Sequence, residues 1–186
     1  MKLQKFLETY FGPYRFYKVS ESTKDKLHKL CAANLCGSQV GLEIALVLIN
    51  KRKASLISIN LEKLCKRLGL YQIKIFGIFD FITKEKGLLP KIRKLKNRSW
   101  RTSRAEIGKI LGYPSCCVGA FLKGRKLYFS TTKGFDAFLL HGKCLKDCQR
   151  SAALTKRYAS LVKAVCPEMY LRLLGFWFCL EHLKEI

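Results

Sequence analysis

Apolar positions along this chain recur mostly at helical spacing, with two short β-like runs between them. Met1–Tyr10 is predicted as a short amphipathic helix that stops near Gly12-Pro13. Ser20–Ala33 is predicted as a second helix, with Ser22 or Thr23 as cap and Leu27, Leu30 and Cys31 on its apolar face. Gln39–Asn50 is almost wholly apolar. Its length, and Glu43 inside it, favour a buried helix. Ala54–Ile59 has strand composition, Leu61–Leu68 has a helical pattern ended by Gly69, and Tyr71–Phe79 alternates as a strand does.

Beyond Thr83 the pattern changes. Ser103-x-x-Glu106 has the form of a capping box opening a helix that ends near Gly112. Tyr113-Pro114 opens the next, with Pro114 in its first turn. Leu127–Thr131 is predicted as a third strand. From Lys146 onward two helices are expected, broken near Cys166-Pro167, with Leu154, Tyr158, Leu161, Val162 and Val165 as the core stripe of the first. The expected class is α+β, predominantly helical, with a small sheet of about three short strands. Residues 1–82 form an N-terminal α/β part. Residues 83–186 carry a basic stretch and a Cys/His helical part, the whole making one compact domain.

Composition narrows the function. An apolar content of 49% excludes a disordered chain. There are 36 Lys+Arg against 13 Asp+Glu, a net charge of +23, far beyond the roughly 2–8 charges that suit a small domain. A polyanionic partner would offset that self-repulsion. Met1–Lys18 has no apolar signal region, and the apolar run from Val40 to Ile49 is too short to span a bilayer. The expectation is an intracellular, cytoplasmic protein. Nine cysteines in such a compartment point to thiols, a metal or a cluster rather than to a disulfide framework.

The charge is concentrated. Lys84–Arg104 holds nine basic residues against the single acid Glu85. Lys91, Arg93, Lys94, Lys96, Arg98, Trp100, Arg101 and Arg104 are the candidate RNA-binding residues, with Tyr71, Phe79 and Phe81 upstream as stacking faces. Lys51-Arg52-Lys53 and Lys123/Arg125/Lys126 are further basic clusters. Most charge runs are merely solvated surfaces; here the balancing acids are missing.

Two segments carry soft ligands. Cys116 and Cys117 follow Gly112-Tyr113-Pro114 at a predicted helix start, where free N–H groups favour thiolate. On a helix they diverge by about 100°. Cys116 is therefore expected to face the site, and is the candidate nucleophile, while Cys117 packs beside Phe121. His141-x2-Cys144-x3-Cys148, if helical, places three ligands on one face. Cys116, Cys117, His141, Cys144 and Cys148 are thus candidate ligands for Zn²⁺ or an iron–sulfur cluster. Cys31, Cys36, Cys65, Cys166 and Cys179 read as buried thiols in apolar settings. The spacings His28-x2-Cys31, Cys31-x4-Cys36 and Cys179-x2-His182 carry less weight, since none has a second local pair.

Gly112-Tyr113-Pro114-x-Cys116-Cys117-x3-Phe121, followed by His141-x2-Cys144-x3-Cys148-x2-Ser151, resembles the archaeal family catalogued as domain of unknown function 483. The likeness covers Arg104 to Tyr158. The family pattern has Pro after the last of these cysteines, where this chain has Gln149. The resemblance implies an archaeal cytoplasm and carries no activity.

P-loop, GxGxxG, HExxH and GxSxG motifs are missing. Asp136 and Asp147 lie close to the cysteine segment, where helix capping and surface charge explain them better than a proton-transfer role does. The leading reading is an RNA-associated basic protein, acting on tRNA or the ribosome, with a Cys/His metal or iron–sulfur site. One alternative is an RNA-modifying or thiol-dependent enzyme using Cys116 or Cys117. Another is a metal-free docking protein with buried thiols.

Overall fold

The computed structural model describes residues 19–75, 77, 79–128, 138 and 140–175, and within these leaves out the side chain of Trp100. The predicted Met1–Tyr10 helix, Asp136, Cys179 and His182 lie outside the described residues. The described residues form a predominantly helical α+β fold with eight α-helices and one three-stranded antiparallel sheet. No helix among them is long and apolar enough to cross a membrane.

Helix α1 spans Glu21–Ala32 and is capped by Ser20, whose Oγ accepts the Thr23 N–H at 3.2 Å. The cap is thus earlier than Ser22 or Thr23. Helix α2, Gln39–Leu48, is the apolar run, buried almost throughout, Glu43 included. Strand β1 is Ala54–Ile57 and helix α3 is Glu62–Leu68, ended by Gly69 as its pattern predicts.

The next run does not form one strand over Tyr71–Phe79. It breaks into β2, Tyr71–Ile75, and β3, Phe79–Thr83. Gly77 lies between them at φ 73°, a backbone state that glycine adopts at little cost and that reverses the chain. Strand β3 is central, in the order β1-β3-β2, with Phe81 opposite both Leu56 and Ile73. The third strand is therefore β3. Of Leu127–Thr131, Tyr128 pairs with Lys143 in an isolated bridge, and 129–131 lie outside the described residues.

Helix α4, Leu89–Lys96, and helix α5, Trp100–Ile110, cover this sheet. Ile92 and Leu95 of α4 and Ile107 and Ile110 of α5 join Ala54, Ile75, Phe81 and Leu111 in one buried cluster. Helix α5 starts earlier than the capping box predicts. Ser99 Oγ accepts the Thr102 N–H at 3.3 Å, Ser103 is buried inside the helix, and Glu106 turns instead to Arg98 at 3.1 Å. Helix α6 is Ser115–Leu122, α7 is Gln149–Val165 and α8 is Pro167–Leu173. The break at Cys166 falls where Pro167 predicts it.

The chain divides into two compact units. One comprises the described residues of 1–42, 130–140 and 153–186, with Leu27, Leu30, Phe138, Met169 and Leu171 among its buried side chains. The other comprises those of 43–129 and 141–152; it holds the sheet and the cysteine segments described next.

Candidate metal centre

The first cysteine pair is positioned by a tight helix–turn–helix. Helix α5 ends at Ile110 with Leu111 as its cap, and Gly112, at φ 70°, turns the chain so that the Tyr113 N–H reaches Gly108 O at 3.0 Å. Gly108 also lets α5 and α6 approach closely: a Cβ there would meet Val118 Cγ2 at 2.7 Å. Pro114 is extended, with ψ 133°, and stands one place before the helix rather than in its first turn. Cys116 and Cys117 are therefore the second and third helical residues.

The second pair arises from irregular backbone. Residues 141–148 are not helical as expected; they form bends and turns, and α7 begins only at Gln149. The Tyr128–Lys143 bridge, with N–H···O distances of 2.9 and 2.8 Å, anchors this segment. Gly142, a poor helix former, lies buried within it.

The four sulfurs converge. Cys116 Sγ and Cys117 Sγ lie 4.0 Å apart, and Cys148 Sγ is 3.9 Å from the first and 3.8 Å from the second. Cys144 completes the group, with all four sulfurs within 4.8 Å of one another. The expected division, with Cys116 facing the site and Cys117 packing beside Phe121, does not occur. Cys148 is nearly equidistant from both, so their divergence on the helix does not separate them. Phe121 is exposed and lies under the Arg104 guanidinium, 5.3 Å from ring to cation.

These spacings can be set against metal geometry. Two sulfurs each about 2.3 Å from one tetrahedral ion stand about 3.8 Å apart. A four-iron cluster spreads its cysteines further, since each sulfur binds a different iron. The cysteine group can hold a metal ion, and the three separations of 3.8–4.0 Å are close to those of ligands sharing a single centre.

The thiols differ in proton affinity. Burial pushes Cys117 well up, reinforced by the neighbouring thiols of Cys144 and Cys148. Cys144 is raised too, by desolvation and by contact with Cys148 and Cys116. Cys148 moves down: desolvation opposes its ionisation, but the Ser151 N–H and the thiols of Cys144, Cys117 and Cys116 outweigh it. Thiolate character is thus favoured at Cys148, in the later segment, although it was the α6 start that the sequence picked out.

His141 is placed differently from the cysteines. Its Nε2 lies 2.9 Å from Ser151 Oγ, and its ring stacks on Tyr113 at 5.0 Å. Its Nδ1 is buried and has no hydrogen-bond partner among the described residues. Burial, then the charges of Arg52 and Lys143, lower its pKa to about 4, so the ring is neutral at pH 7.

Arg52 supports this wall, a role the sequence did not signal. Its side chain is buried in an ion pair with Glu43, and its Nε and Nη2 donate to Leu111 O at 3.1 and 2.9 Å. Its guanidinium also lies 5.2 Å from the centre of the Tyr113 ring. Desolvation raises the Glu43 pKa, against the opposing pull of Arg52 and Ser55. Arg52 therefore does not belong to a surface basic cluster with Lys51 and Lys53. The lone acid inside an apolar helix was the available clue to its partner.

The basic stretch is mostly solvent-facing. On α4, Lys91, Arg93, Lys94 and Lys96 are exposed while Ile92 and Leu95 are buried. Arg98 and Arg101 are exposed and Arg104 is half-buried. Lys91 and Arg98 share Glu106, at 3.8 and 3.1 Å, whereas Arg93, Lys94 and Lys96 make no ion pair among the described residues. Of the upstream aromatics, Phe81 is wholly buried in the core and cannot stack on a base; Tyr71 and Phe79 are half-buried. Asp147 is exposed. No family model, curated protein or solved structure matches this chain.

Proposed function

We propose that the protein is an RNA-associated module whose Cys116/Cys117/Cys144/Cys148 group binds one Zn²⁺ as a structural centre. The observation that carries the metal is the convergence of four sulfurs at separations near those of a single tetrahedral ion. Four thiolates are soft ligands of the type zinc takes in closed, structural sites. Zinc would cross-link the start of α6 to the segment before α7, two pieces of chain with few regular hydrogen bonds between them. A catalytic zinc needs an open coordination position, and four thiolates fill a tetrahedral ion.

The RNA partner rests on charge. A net +23 calls for a polyanion, and α4 turns four cations outward while burying its apolar face. Phosphate contacts of this kind position an RNA without reading its sequence, and tRNA or ribosomal RNA are the abundant structured candidates. The resemblance to the archaeal family is kept as part of this reading, on the Gly112–Phe121 motif. The test is twofold: zinc content of the anaerobically purified chain, near one at the four-cysteine group, and RNA affinity measured against salt. A chain without metal, or with no RNA binding at low salt, overturns the corresponding half.

A further inference from the structure

A second sulfur group lies within the other compact unit. Cys31 sits in the last turn of α1, half-buried. Asn34, at φ 58°, turns the chain back, and buried Cys36 meets Cys31 in a disulfide. This replaces the expectation of two separate buried thiols. Cys166, buried between α7 and α8, brings its Sγ to 3.7 Å from Cys31 Sγ. All three sulfurs lie within 4.8 Å of one another.

A disulfide needs two sulfurs. The third comes from a position 135 residues further along the chain. Three converging cysteines are a soft ligand set once reduced. We propose that Cys31, Cys36 and Cys166 form a second Zn²⁺ site, distinct from the four-cysteine group and gated by thiol oxidation.

The gate follows from sulfur chemistry. In the oxidised form Cys31 and Cys36 share an S–S bond and neither is a thiolate ligand. A dithiol reductant supplies two electrons and two protons. The S–S bond breaks, two S–H bonds form, and the reductant departs as its own disulfide. Zn²⁺ then binds three thiolates, three thiol protons pass to solvent, and water completes the coordination. A disulfide oxidant reverses this. The two thiolate sulfurs rejoin, their electron pair cleaves the oxidant's S–S bond, and zinc leaves with Cys166 reprotonated.

The test compares the full-length wild-type chain in two states, with bridges mapped by mass spectrometry and zinc counted in each. One state has Cys31–Cys36 bridged. The other is fully reduced by a phosphine and supplied with Zn²⁺. Reduction is expected to add one zinc per chain, and a disulfide oxidant to release that one as the bridge re-forms. Reduced Cys36→Ser and Cys166→Ser chains should each hold one zinc fewer than reduced wild type. Equal zinc in bridged and reduced wild type overturns the proposal, and this comparison needs no variant to fold. The zinc retained in the bridged state reports separately on the four-cysteine group, so the two readings fail independently.

Discussion

Cys117 Sγ lies 3.8 Å from Cys148 Sγ, joining the first turn of α6 to the residue immediately before α7. Neither segment belongs to the three-stranded sheet, so a metal bound by these sulfurs would become part of the folding energy. Metal affinity in such sites is expressed as stability.

Cys148→Ser should therefore lower the zinc held at this group and lower the melting temperature. A loss of about 3–5 kcal/mol corresponds to roughly 10 °C for a chain of this size. Differential scanning calorimetry on metal-loaded wild type and variant measures it. An unchanged transition would mean that the group does not hold the fold together.

Much of the scaffold was legible because its signals are local. Gly69 after Leu68, and Pro167 after Cys166, mark helix ends by chemistry that acts within one or two residues. The cysteine grouping was legible from clustering alone. Other features depend on distant partners. The run through Gly77 looks like one strand until its second half pairs with β1. Arg52 looks like part of a surface triplet until Glu43, nine residues earlier, is found buried against it. Cys31 and Cys36 gained meaning only with Cys166, and His141 was aligned with the cysteines by a helical period that Gly142 does not sustain.

The Glu43–Arg52 pair yields a second expectation. Glu43→Gln leaves a buried guanidinium without its counter-charge, at a cost of about 3–5 kcal/mol. Lys53→Gln, one residue beyond Arg52 and exposed, should change stability by less than about 0.5 kcal/mol. Urea denaturation of both variants checks the contrast; similar losses would place Arg52 at the surface after all.

His141 predicts a pH dependence. Its folded pKa, about 4, lies below the value of about 6.5 expected in the unfolded chain. The unfolded chain therefore takes the proton first as pH falls. The stabilisation is complete above about pH 6.5 and is lost between there and about 4, with a slope of at most about 1.4 kcal/mol per pH unit, reduced by partial exposure. His141→Asn, compared with wild type in the same metal-loaded state, should remove this component. Parallel stability curves from pH 7 to 4 would refute it.

Gly108 gives a packing test. Gly108→Ala would drive a methyl into Val118, costing about 1–3 kcal/mol beyond any gain in helix propensity. Adding Val118→Ala should recover part of that loss in a double-mutant cycle. A cycle without coupling would contradict the close approach of α5 and α6.

For RNA, a log–log plot of affinity against salt should have a slope of magnitude about 0.7 per phosphate contacted on a single strand. Replacing Arg93, Lys94, Lys96 and Arg98 together by Gln should flatten it. A slope that survives the quadruple change would move the footprint away from α4.

The central claim is the four-cysteine zinc centre, and X-ray absorption at the zinc edge tests it most directly. The sample is the Cys31→Ser/Cys36→Ser chain, purified anaerobically, in which the second cysteine group has lost two of its three sulfurs. The account predicts one zinc per chain surrounded by four sulfurs at about 2.3 Å. A shell of three sulfurs and one imidazole nitrogen, or a chain without zinc, would contradict it.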